Sequence, residues 1–98
     1  MEVRHYDASL DRLETDPDYT GGYDQGVVRA YRLRMQMIRS ASDERDFYAL
    51  KSLHFEKLKG NRSHQHSMRL NSKWRLILEF DGSGTGKVVC IVSIEDYH

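Results

Sequence analysis

From Val88 to Ile94 the chain reads Val-Val-Cys-Ile-Val-Ser-Ile, a strand-length run of branched and small apolar residues. It lies between a Gly-rich segment and the ending Glu95-Asp96-Tyr97-His98. Branched residues favour the pleated backbone, and here they fall at both parities, so both faces of the strand are apolar. Such a strand belongs inside a sheet, with neighbours on either side and something packed over each face. A chain of 98 residues supports one modest core and not two. Residues 1–98 are therefore expected to form a single domain organised around this strand, at whose mouth three proton-handling groups, Asp96, Tyr97 and His98, bring the chain to its end.

Composition narrows the class. With 39% hydrophobic and 31% charged residues and one Pro, the chain is too apolar for disorder. No apolar stretch is long enough to span a membrane, and Met1-Glu2-Val3-Arg4-His5 lacks the layout of a signal peptide, so a cytoplasmic protein without a membrane partner is expected. Cys90 is the only cysteine, which rules out an intrachain disulfide and marks a core residue before a reactive thiol. Fifteen charges of each sign give a net charge of zero, so any polyanion partner must be argued from charge distribution. That distribution is uneven. Most acids lie before Leu53, whereas Leu53 to Trp74 carries Lys57, Lys59, Arg62, Arg69 and Lys73 against one acid, Glu56, and Arg75 follows directly.

Glu2 to Tyr6 reads as a short first strand anchored by Val3, with Asp7 as the N-cap of a helix through Leu10 and Leu13. Pro17 and Gly21-Gly22 interrupt it. A longer helix is expected from about Tyr23 to Ala41, with Val27, Ala30, Leu33, Met37, Ile38 and Ala41 on its apolar side, covering one face of the sheet. Tyr31 and Met35 are read as helix packing. Asp43 is the expected cap of a short turn whose Phe47 and Leu50 close the edge of the core.

The segment His64 to Phe80 reads as a hairpin whose register can be argued. Bulky apolar residues occupy the even positions of both Trp74–Phe80 and His66–Leu70, and directly opposed residues must share a face. A two-residue turn would oppose Leu70 and Lys73, mixing the faces. A three-residue loop, Asn71-Ser72-Lys73, opposes Leu70 to Trp74, Met68 to Leu76 and Ser67 to Ile77, and is preferred. It also sets Arg69 against Arg75 on the non-core face. Facing like charges cost up to ~1 kcal/mol, a penalty that an anion between them removes. The pair reads either as two Arg side chains splayed into solvent or, with Lys73, Lys59 and Arg62 nearby, as a phosphate-binding pair.

Extending the same alternation into the last strand opposes Phe80 to Val88 and Leu76 to Val92. It places Ser93 beside Arg75 and sends Tyr97 to the basic face, whereas Asp96 and His98 point the other way unless the tail bends. A basic floor with Tyr, His and Asp at its rim suits RNA. Cations neutralise a scissile phosphate while a base and an acid assist attack by the 2′-hydroxyl and departure of the 5′-oxygen. DNA has no such internal nucleophile.

Leu58-Lys59-Gly60-Asn61-Arg62, Ser67-Met68-Arg69-Leu70-Asn71, Lys73-Trp74-Arg75 and the closing Glu95-Asp96-Tyr97-His98, in that order and spacing, resemble the HigB or plasmid-maintenance killer toxins of the RelE superfamily. The resemblance implies an α+β fold, RelE-like, with N-terminal helices on a mostly antiparallel twisted sheet. It implies a toxin of a type II toxin-antitoxin pair that cuts translated mRNA in the ribosomal A site, without metal or other cofactor. Its implied partner is a HigA-like helix-turn-helix antitoxin, through which alone operator DNA is contacted. By the same resemblance Asp96, Tyr97 and His98 match the terminal catalytic group, Arg75 the phosphate-stabilising Arg, and Lys59 the Lys of the Leu-Lys-Gly motif. Arg69, Lys73, Lys57 and Arg62 would bind RNA. Some members carry a catalytic His where this chain has Glu56; His54, two residues upstream, would share its side of an extended segment and is the substitute candidate.

Other features have plainer readings. His64-Gln65-His66 puts two imidazoles on one strand face, but without Cys or clustered carboxylates no metal site is assigned. Trp74 shares the face of Leu76 and Leu78 and reads as sheet core, and Tyr19 and Tyr23 read as loop residues. Two alternatives to the nuclease stay open: a gyrase-inhibiting toxin of the same superfamily, and a catalytically impaired member that mainly binds its antitoxin.

Overall fold

The computed structural model describes residues 1–82 and 86–96. Its elements run β1 (Glu2–His5), α1 (Ala8–Thr15), α2 (Gln25–Ser40), α3 (Arg45–Ala49), β2 (Glu56–Lys57), β3 (Gln65–Arg69), β4 (Trp74–Asp81) and β5 (Val88–Asp96), with short 3-10 turns at Lys51–Leu53 and Gly60–Arg62. The five strands form one sheet ordered β1-β5-β4-β3-β2, in which only the β1–β5 pair is parallel. The fold is α+β, as expected: helices on a mostly antiparallel sheet, with the apolar strand β5 held between two neighbours. No helix among the described residues is long and apolar enough to cross a membrane.

Both larger helices start on aspartates. Asp7 Oδ1 accepts from the Ser9 amide at 2.8 Å and from its hydroxyl at 2.6 Å, and Asp24 Oδ1 accepts from the Val27 amide at 2.9 Å. Each satisfies a first-turn N–H that would otherwise be orphaned. Asp43 does the same for α3, its Oδ1 accepting from the Arg45 amide at 3.0 Å. Between α1 and α2 the chain turns at Gly21 and Gly22, whose φ of 62° and 85° suit glycine.

The buried side of α2 is rotated from the expected one. Val27, Val28, Tyr31, Met35 and Ile38 face inward, and Leu33 is 49% exposed. Ala30, Met37 and Ala41 only flank the core. The cause is α1: the helix must bury one stripe against both the sheet and Leu10 and Leu13, so its axis of burial falls on Tyr31 and Met35. Tyr31 donates its hydroxyl to the Leu10 carbonyl at 2.8 Å, satisfying a polar tip inside the core. Arg32 reaches the carbonyls of Leu13, Asp16 and Tyr19 at 3.0, 2.9 and 3.2 Å, closing the C-terminal end of α1. At the other end, Phe47 is buried as expected, but Leu50 is exposed and Leu53 and Phe55 close the core edge instead.

The β3–β4 register is the expected one: Met68 faces Leu76, Ser67 faces Ile77 and Arg69 faces Arg75. The Leu70 and Asn71 amides both donate to the Trp74 carbonyl, at 2.9 and 3.2 Å, closing the three-residue loop. Asn71 Oδ1 accepts from the amides of Lys73 and Trp74, fixing the loop from within.

The β4–β5 register differs from simple alternation. Phe80 pairs with Val89 rather than Val88, and Leu76 with Ile94 rather than Val92, with an irregularity opposite Ile77 and Leu78. One extra residue on β5, Val92, is accommodated there as a bulge. Upstream of it Val89 and Ile91 face the helices; downstream Ile94 does.

The second face of the sheet has a polar cover. Arg62, just ahead of β3, donates Nε to Gln65 Oε1 on β3 at 2.9 Å and its two terminal nitrogens to Glu95 on β5 at 3.0 and 2.8 Å. Because β4 lies between those strands, the side chain crosses over it, spanning the rung Ser67–Ile77–Ser93. Ser67 and Ile77 are buried on this face.

Candidate functional site

Across β3, β4 and β5 one rung of the second face carries Arg69, Arg75 and Glu95 in register. Ser93, expected beside Arg75, sits opposite Ile77 instead, one residue of the shift coming from the start of the ladder at Phe80–Val89 and one from the bulge. Glu95 takes its place. Its carboxylate accepts from both Arg62 terminal nitrogens and from the Ser93 hydroxyl at 2.7 Å. The Arg62 hydrogen bonds, then those from Ser93 and the nearby charges of Arg62 and Arg75, hold Glu95 below the ordinary carboxylate range despite partial burial. It is ionised in the working range of any cell. Spacing alone offered no signal for this acid, since its partner Arg62 lies far away in sequence.

Arg69 is anchored at its root. Its Nε donates to the Asn71 carbonyl at 3.2 Å, and one terminal nitrogen lies 3.3 Å from His54 Nε2. Arg34 on α2 donates to the Arg69 carbonyl at 3.0 Å, tying the rung to the helical layer. His54 reaches this place by an unusual backbone. The segment is not extended, as the argument linking it to Glu56 assumed: His54 closes a 3-10 turn with φ 46° and ψ 47°, the left-handed region. A non-glycine residue there is strained, and such strain clusters where an orientation matters. With a guanidinium N–H able to donate to Nε2, the imidazole is presented as an acceptor, the form a base requires.

The remaining candidates spread around this rung. Asp96 pairs with Trp74, so its side chain leaves toward the helical face, and one carboxylate oxygen lies 3.9 Å from Lys73 Nζ. Lys73 Nζ also stands 5.6 Å from the centre of the Trp74 ring, which packs edge-on against Tyr23 at 5.9 Å. Trp74 and Tyr23 are thus flank packing. Lys59 is exposed and precedes the turn at Gly60, where φ is 68°. Lys57 pairs with His66 and so shares the helical face, away from Arg69 and Arg75, while Glu56 pairs with Ser67 and shares theirs. Arg62 is present on the basic face but already held by Glu95. Tyr97 and His98 lie outside the described residues.

The paired imidazoles separate. His66 stacks on Phe55 at 5.0 Å and meets Phe80 edge-on at 5.2 Å in the helical layer. His64 lies outside β3, 3.7 Å from Glu79, a residue of the second face that also accepts from Gln65. They do not converge on one ion. The group that does cluster is His5, Asp11 and Glu14, with potential ligand atoms within 4.8 Å of one another. Glu14 spends both oxygens on Arg39, at 2.6 and 2.9 Å, and lies 3.2 Å from His5 Nε2, so this cluster serves as an ion pair between α1 and α2 with a polar contact to β1. The depression beside α2, lined by Pro17, Thr20, Arg29 and Leu33 among others, offers no acid, thiol or imidazole among its lining residues.

The arrangement therefore joins a cationic rung, an acceptor imidazole and an internal carboxylate on one open face. It can hold a phosphodiester and move a proton beside it. Among solved structures, the YoeB/ParE toxin from Agrobacterium tumefaciens is similar over 100% of both chains, with a TM-score of 0.63 at 19% identity. The conserved hypothetical protein HP0894 from Helicobacter pylori is similar over 99% of this chain and 94% of its own, with a TM-score of 0.55 at 11% identity. At these identities the likeness is one of fold. No curated protein matches the sequence. The model of the family described as RelE-like toxin of type II toxin-antitoxin system HigB matches residues 4–98, and the chain belongs to that family of toxins.

Proposed function

We propose that this toxin is a ribosome-dependent mRNA endoribonuclease, cutting translated message in the A site by 2′-hydroxyl attack. The observation that carries the reading is the rung itself: Arg69 and Arg75, both half-buried, directly opposed on the face away from the helices, with the His54 imidazole 3.3 Å from Arg69. Two guanidiniums side by side, with the Glu95 carboxylate next to Arg75, form a donor pair of the kind that grips a phosphodiester.

The 2′-oxygen attacks the adjacent phosphorus, its proton passes to a base, and the 5′-oxygen leaves with a proton from an acid. The products are a 2′,3′-cyclic phosphate and a 5′-hydroxyl. RNA carries its own nucleophile, so the step needs no metal-activated water. Arg75 and Arg69 stabilise the charge on the phosphorane oxygens. His98 and Tyr97 handle the protons, His54 is a second base within reach of the rung, and Asp96 orients the tail. Lys59 and Lys73 contribute contacts to the RNA backbone, whereas Lys57, on the helical face, is left out of them. The antitoxin partner that family membership implies is a HigA-like helix-turn-helix protein, which carries the operator contacts.

Mapping transcript ends in translating cells after expression of the toxin tests this directly. New ends phased to codons, lost in Arg75→Gln and His98→Ala, are the expected result. DNA breaks with intact mRNA overturn it.

A further inference from the structure

The basic face holds an anion of its own. Glu95 stands in the rung beside Arg75, receives both terminal nitrogens of Arg62 at 3.0 and 2.8 Å, and takes the Ser93 hydroxyl at 2.7 Å. Two fork-like N–H donors, a hydroxyl donor and a facing guanidinium form the donor set that also recognises a phosphate. Among the described residues, Arg62 is the charged side chain that reaches this carboxylate from outside the rung, and its Nε is held by Gln65.

We infer that Glu95 is an internal phosphate mimic. It occupies the Arg62 fork in the free protein, and an RNA phosphate displaces it from that fork on binding. The inference rests on the RNA-cleaving reading of the same face. Its physical content is a competition: the arginine fork cannot serve the carboxylate and a backbone phosphate at full strength together, and the fixed negative charge beside Arg75 repels the incoming one. Glu95 therefore sets affinity downward, acting on the RNA through Arg62 and Arg75. It is a positioning residue and not a catalytic one. This accounts for a binding face whose cations are partly cancelled from within.

The test measures binding of a 2′-O-methyl RNA oligonucleotide, which cannot be cut by 2′-hydroxyl attack, by the full chain across a salt series. Glu95→Gln keeps the shape of the side chain and removes its charge. For single strands each additional phosphate contact steepens the slope of log K against log salt by about 0.7, which is about fivefold in affinity near 0.1 M. Glu95→Gln is expected to show that gain, and adding Arg62→Gln to it is expected to reverse the gain. Equal or weaker binding by a folded Glu95→Gln protein overturns the inference, as does a gain that survives Arg62→Gln.

A measurement on the unmodified chain covers the case in which Glu95→Gln does not fold. Side-chain NMR of the arginines is expected to show the Arg62 guanidinium signals moving when the same oligonucleotide is added; unmoved Arg62 signals beside shifted Arg69 or Arg75 signals overturn it. If the wild-type chain binds no RNA, the RNA reading itself falls and this inference with it. Binding that ignores Glu95 removes the inference alone.

Discussion

Arg69 and Arg75 face each other directly across β3 and β4, two cations on one rung of an open sheet face. Taken as a pair, apart from the Glu95 carboxylate beside Arg75, they repel by up to ~1 kcal/mol. Inorganic phosphate is therefore expected to raise the melting temperature more than chloride at matched ionic strength, since an anion bound only by the native face stabilises it by mass action. Arg69→Gln is expected to leave stability within about 1 kcal/mol of wild type and to abolish most of that phosphate effect. Melting curves in the two salts decide it.

Removing Arg75 takes away charge at the centre of the rung. Arg75→Gln is expected to lower the rate of RNA cleavage by about 10²–10³, the cost of losing one preorganised donor to a developing oxyanion. Secondary structure should be unchanged. A loss below about tenfold in single-turnover assays on programmed ribosomes would place the phosphate elsewhere.

The Tyr31 hydroxyl lies deep in the core and bonds the Leu10 carbonyl at 2.8 Å. Burial pushes its pKa far up, so it stays a neutral donor across the accessible range. Tyr31→Phe preserves the ring and deletes the bond, leaving a buried carbonyl without this partner. A loss of about 1–2 kcal/mol in denaturant unfolding is expected, with no change in the slope against denaturant.

His66 gives stability a pH dependence. Burial against Phe55 and Phe80 lowers its pKa, and of the charges around it Lys57 and Lys87 oppose protonation while Glu44, ion-paired to Lys87, favours it. A base whose folded pKa lies below the unfolded one binds more protons unfolded, so its contribution is complete above the unfolded value of about 6.5 and is lost as pH falls below it. Urea midpoints for wild type should fall between about pH 7.5 and 5.5 more steeply than those of His66→Phe.

Glu14 acts at lower pH. The Arg39 hydrogen bonds, with the charges of Arg39 and His5, hold its carboxyl below the ordinary range. The folded value is the lower one, so this stabilisation is present above about pH 4.3 and disappears as pH falls through the folded value. Arg39→Gln should be less stable than wild type at pH 6, and the gap should narrow as pH falls below about 4.3 in the same unfolding assay.

Much of this architecture is readable from residue order because local rules fix it. The aspartates at 7 and 43 announce their helices, and the parity of Met68, Leu70, Trp74 and Leu76 admits one hairpin loop, so the opposition of Arg69 and Arg75 follows from the sequence. The β4–β5 register does not, because a long Gly-rich connection sets no register and an extra residue amid Ile-Val-Ser carries no side-chain mark. Leu33 is as apolar as Met35, and only the position of α1 decides which is buried. The Arg62–Glu95 clasp and the approach of His54 to Arg69 depend on tertiary crossings, one over a strand and one through a left-handed residue. Neither has a periodicity to betray it.

The odd residue at Val92 divides β5 into two lengths whose facing is set independently. The first is tuned by the helices it packs against, the second by the rung it completes. Were Val92 to take a regular place in the ladder, alternation from Ile91 would set Ile94 against Arg75 and turn Glu95 to the helical face; deleting Val92 altogether would keep Glu95 opposite Arg75. The same strand thus shows odd positions to the helices before the bulge and even positions after it, and the carboxylate in the rung follows from that one change of parity.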